Sequence, residues 1–161
     1  MWFFMNTCYV LSLVTFLTLI TGFAQSFFQF PVLRANHTTF MILACIIYSF
    51  TETLVIFFFV GTGVSVKEYT QDHNLDHQYH QRSIAIKHRV YPPLMLNLLF
   101  MVILFILVGA VDTHRMPIWL YQIIFTGCLL HYVKVKIVQH HSFRDNTKII
   151  LEMSGVTVPQ L

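Results

Sequence analysis

Apolar residues run along this chain in four long blocks separated by short polar stretches. A helix crossing about 30 Å of hydrocarbon needs about 20 mostly apolar residues. Segments 7–24, 39–63, 94–111 and 118–133 approach or meet that need. The pattern predicts an all-α integral membrane protein of four transmembrane helices, arranged as an antiparallel bundle in a single domain over residues 1–161. Gly61-Thr62-Gly63 reads as the terminator of the second span. Pro92-Pro93 lacks two backbone donors and is expected to separate a polar segment from the third span.

Composition strengthens this reading. Apolar residues make up 56% of the chain and charged residues 11%, against about 25% charged in a soluble domain. A soluble enzyme, a disordered regulator and a nucleic-acid-binding domain are all poorly served by such a surface. The first block resembles a signal sequence in its small residues near Ala24. It lacks the basic start that such a sequence carries, since no Lys or Arg falls between Met1 and Thr7. Residues 1–24 are therefore expected to stay as a span.

Charge sets the orientation. Lys67, Arg82, Lys87 and Arg89 lie between the second and third spans, and Lys134, Lys136, Arg144 and Lys148 follow the fourth. Only Arg34 and Arg115 occupy the other two connections. The positive-inside rule then puts both termini, a loop over 64–91 and a basic tail over 134–161 in the cytoplasm, with a bacterial inner membrane as the expected host. Lys148-Ile149-Ile150-Leu151 suggests that part of the tail lies along the interface as an amphipathic helix. Cys8, Cys45 and Cys128 all fall within spans, without a C-x-x-C pair, and are expected to pack as small apolar groups.

Ionisable and amide groups inside hydrocarbon are costly and call for a reason. At 1.5 Å per residue, Glu52 lies about 20 Å below the outer surface, His131 about 18 Å and Asn97 about 21 Å. Ser12, counted back from Ala24, falls at the same level. The four residues therefore define an intramembrane polar layer, read either as packing bonds across the bundle or as a proton-transfer site with Glu52 as acceptor and His131 as partner.

Nine histidines punctuate the chain. His73, Asp76, His77 and His80 would share one face of a helix, a ligand set suited to a transition metal. Haem would need paired histidines at matched depth. His37 with His114 near the outer surface, and His88 with His140 near the inner one, are the candidate pairs. The repeated H-x-x-H-H boxes of membrane di-iron oxidases are not matched, because Lys136 and Ile137 stand where further ligands are needed. No Ser-His-Asp arrangement, phosphate loop or H-E-x-x-H sequence is present, so no catalytic residue is assigned. The function expected first is a non-catalytic accessory subunit of a larger membrane complex, in contact with the bilayer and with other membrane subunits or a second copy. The alternative is a haem- or metal-binding redox subunit, or a proton-transfer subunit, built on Glu52, Asn97 and His131. No nucleic-acid partner is expected.

Overall fold

The computed structural model describes residues 2–155. Among them are four helices, α1 (Trp2–Phe28), α2 (His37–Asp72), α3 (Gln78–Asp112) and α4 (Ile118–Met153). All four are long and apolar enough to cross a membrane. Each packs antiparallel to the next. α4 closes the ring against α1 along a thinner seam, and α2 and α4 approach each other across the diagonal. The result is a four-helix transmembrane bundle.

Short connections explain the antiparallel order. Asn36 caps α2, its side-chain oxygen accepting from the Thr39 backbone N–H at 2.9 Å. Gln25, itself buried, donates to the carbonyls of Phe30 and Ala35 at 2.9 and 3.2 Å and so pins the α1–α2 connection. The α2–α3 connection is a tight turn, with Asn74 in the left-handed region (φ 49°). Asp76 accepts from the Gln78 N–H at 2.9 Å as α3 begins.

The helices run well past the lengths expected from hydropathy. α2 and α4 have 36 residues each, about 54 Å of helix, against about 30 Å of hydrocarbon. The excess lies at one end of the bundle, where α1 and α3 begin and α2 and α4 finish. We refer to it as the basic end, after its lysines and arginines. Residues 64–91, expected as a loop, are helical except for the turn over 73–77. Gly61-Thr62-Gly63 lies inside α2 and does not terminate it. Pro92 and Pro93 likewise lie inside α3. Neighbouring helices sustain α3 through the missing donors, since Val90, Leu94 and Asn97 on either side are all buried against them. In the described part of the tail α4 continues to Met153 instead of peeling away along an interface, and Ile149 is 1% exposed in the core; residues 156–161 of the expected tail lie outside the described residues.

Two apolar clusters fill the interior. One, toward the short α1–α2 and α3–α4 connections, includes Leu19, Met41, Tyr48, Leu104, Tyr121 and Phe125. The other, toward the basic end, includes Val55, Phe58, Phe59, Val90, Leu94 and Phe143. Polar side chains occupy the boundary between them.

Candidate functional site

Glu52 sits on the inward face of α2, about 22 Å along the helix from His37. It is fully buried. Its Oε2 accepts from Gln139 Nε2 at 2.8 Å, and its Oε1 meets Lys136 Nζ at 2.7 Å by charge, outside the angles of a well-formed hydrogen bond. Lys136 Nζ also donates to Gln139 Oε1 at 2.9 Å. Carboxylate, ammonium and amide thus close a three-membered cycle between α2 and α4. At the preceding residue of α2, the hydroxyls of Thr15 and Thr51 meet at 2.8 Å and join α1 to α2.

Lys136 is the unexpected member. Its backbone lies about 27 Å along α4 from Ile118, near the far edge of a 30 Å slab. A lysine there ordinarily extends outward to water. This one turns inward, with Nζ over the Tyr132 ring at 4.9 Å from its centroid, one turn closer to the start of α4. Side chains on a helix lean toward its N-terminus, and Glu52 supplies the charge that holds the ammonium there. The sequence expectation paired Glu52 with His131. The structure corrects that pairing, because His131 points toward α3 while Lys136 and Gln139 point toward α2.

Asn97 and His131 do meet. His131 Nδ1 lies 3.2 Å from Asn97 Oδ1, and the Phe100 ring packs edge-on against the imidazole with centroids 5.0 Å apart. Ser12 takes part only through its backbone carbonyl, which accepts from Tyr132 Oη at 3.0 Å. The expected single layer is thus two separate centres, one on the α2–α4 diagonal and one between α3 and α4.

The remaining histidines are dispersed. His73 ends α2 and stacks on Tyr69 with centroids 4.0 Å apart, while His77 precedes α3 and stacks on His80. The turn at 73–77 therefore breaks the helical face on which His73, Asp76, His77 and His80 were expected to converge. α4 does continue past His140, whose Nδ1 is 2.9 Å from Tyr9 Oη on α1; His88 is exposed on α3. His37 Nε2 is 3.1 Å from Tyr121 Oη. It shares the rim of an open depression of about 1010 Å³ with His114. Among the described residues, no three His, Cys, Asp or Glu side chains are placed to hold a metal ion. The donor set therefore does not fit the metal reading, and the histidines proposed for haem are engaged with tyrosines or apart. Cys8 and Cys128 are buried and Cys45 is half-buried, all as free thiols.

Lys136 and Gln139 were absent from the expected site because both lie beyond the predicted end of the fourth span. The available signal was an unmatched acid at depth on α2, together with a lysine one side-chain length below that level on α4. No protein-family model, curated protein or solved structure matches this chain.

Proposed function

We propose that this chain is a small integral-membrane subunit that handles protons through the Glu52–Lys136–Gln139 centre. The observation that carries the reading is a fully buried carboxylate closed by an inward-turned ammonium at 2.7 Å. Ionisable groups within membrane spans are rare and concentrate on ion and proton paths. Exchange of one proton between Nζ and Oε1 leaves the net charge of the pair unchanged, so the surrounding apolar core does not oppose it. Gln139 bonds both partners and holds them in register throughout.

The concentration of basic residues at one end supports an orientation with that end, and both termini, in the cytoplasm, and a bacterial inner membrane as the host. Exposed aromatic side chains such as Phe3, Phe28, Phe57 and Trp119 favour contact with lipid and with further membrane subunits or a second copy. The chain then works as an accessory component of a larger assembly, in which the buried centre is its chemical contribution.

The test is proton flux into liposomes that carry the purified protein and an internal pH dye, driven by a potassium diffusion potential. Flux above protein-free liposomes, lost in Glu52→Gln, is the expected result. Flux that is equal in wild type and Glu52→Gln sinks the proton-handling role. The accessory reading would then rest on co-purification of larger subunits in mild detergent.

A further inference from the structure

Among all four helices, with Asn97 in its wall, lies a small cavity of about 10 Å³. Leu104, Phe125 and Leu129 make most of its wall apolar, but Tyr48 and Asn97 also line it. Both are 2% exposed. Tyr48 Oη and Asn97 Nδ2 have no hydrogen-bond partner in the protein, although each comes from a different helix. A cavity of roughly 10–15 Å³ accommodates one water molecule when two or more polar atoms face it. Buried donors are otherwise satisfied as a rule.

We propose that this cavity is a binding site for a single water molecule, which satisfies the Asn97 amide nitrogen in the orientation that sets the tautomer of His131. The water oxygen accepts from Tyr48 Oη and from Asn97 Nδ2. In the orientation observed, Asn97 turns its amide nitrogen to the water and its carbonyl oxygen toward His131. Oδ1 cannot donate, so the proton on the imidazole lies on Nδ1, the atom 3.2 Å away. Nε2 is left with its lone pair. His131 thereby becomes a neutral ring whose accepting nitrogen faces away from the α3 contact, a site for a proton or for a hydrogen-bond donor from lipid or an adjoining subunit. The opposite amide orientation would turn Oδ1 to the cavity and Nδ2 to the ring, placing the imidazole proton on Nε2. The two arrangements are distinguishable by measurement.

The experiment is nitrogen NMR of histidine-labelled protein in lipid nanodiscs, with His131 assigned by its loss in His131→Gln. The expected wild-type spectrum has protonated Nδ1 and bare Nε2. A dominant Nε2–H form overturns the assignment. Tyr48→Phe keeps the ring and removes one partner of the water, so the preference for Nδ1–H should fall several-fold. An unchanged ratio removes the water from the argument. Radiolytic hydroxyl labelling, which marks side chains beside bound water, supplies a readout that needs no variant. Tyr48 should label several-fold faster than Tyr121, which is also buried but hydrogen-bonded to His37. Equal rates count against a water in the cavity.

Discussion

The two ends of the bundle hold their helices together by different means. Toward the short α1–α2 and α3–α4 connections, Met41, Tyr121 and Phe125 are fully buried, and Gly22 admits Phe40 and Met41 close to the α1 backbone. Close packing there is joined by hydrogen bonds such as His37 with Tyr121 and Gln122 to the Ser26 carbonyl, with no ion pair among the described residues. Toward the basic end, buried Thr70, Ser83, Ser142 and Asn146 interrupt the apolar cluster. On the surface of that end, Arg82 pairs with Glu152 at 2.6 Å and Arg89 with Asp145 at 2.7 Å, all between α3 and α4. The contrast follows from the solvent. Lipid tails are as apolar as leucine, so within hydrocarbon helices associate by close packing and internal hydrogen bonds. Where α3 and α4 leave hydrocarbon, water returns and ionic pairs become affordable at both partners. Glu52 and Lys136 break the division, because they place an ionic contact at the junction of the two apolar clusters.

That exception is the most sensitive point in the molecule. Lys136→Met should destabilise the bundle by about 3–5 kcal/mol, the cost of leaving a buried charge without its partner. Thermal unfolding in detergent would register it, and Glu52→Gln in the same chain should restore most of the loss. A double variant no more stable than Lys136→Met alone would mean that charge is not what joins α2 to α4.

Glycine substitutions probe the shape-packed end against the charge-packed one. A methyl group at Gly22 would come within 2.7 Å of Met41 Sδ, a side chain fully enclosed by the core. Gly22→Ala should therefore cost about 1–3 kcal/mol, as overpacking does. At Gly63 the added methyl collides with Cε and Nζ of Lys87. Lys87 is only half-buried and can swing aside, so Gly63→Ala should cost less than about 1 kcal/mol, below the usual overpacking range. Equal losses at the two glycines would show that both ends are packed with the same rigidity.

The surface pairs should matter least. Arg89→Ala is expected to cost about 0–1 kcal/mol and to lose even that in high salt. A larger, salt-independent loss would mean that the Arg89 stem packs against α4 in its own right.

Hydropathy made the four spans legible, together with the bundle they form, because hydrocarbon imposes a length and a polarity that few residues can disguise. The helix ends were less legible. Gly61, Gly63, Pro92 and Pro93 carry strong local signals for breaks, yet each lies inside a helix that runs on through it. In Gly63 the small residue serves an interhelical approach by Lys87, which no local pattern encodes. The depth count brought Asn97 and His131 to one level, and they touch. It misassigned the partner of Glu52 because it measured backbone positions alone. Lys136 has its backbone near the membrane edge and its charge a helical turn further in, so it escaped a count that ignored side-chain reach.

The inward turn of Lys136 has a bearing on how the protein is made. Gln139 follows Glu52 by 87 residues. At about 5–20 residues per second, that separation represents roughly 4–17 s of synthesis. Throughout that interval the carboxylate on α2 has neither its amide nor its ammonium partner. A nascent chain carrying only α1 to α3 therefore presents an unanswered acid to the insertion machinery, and arrival of α4 removes it. The α2–α4 ion pair is thus among the last contacts the chain can make, since it forms only once the fourth helix has docked.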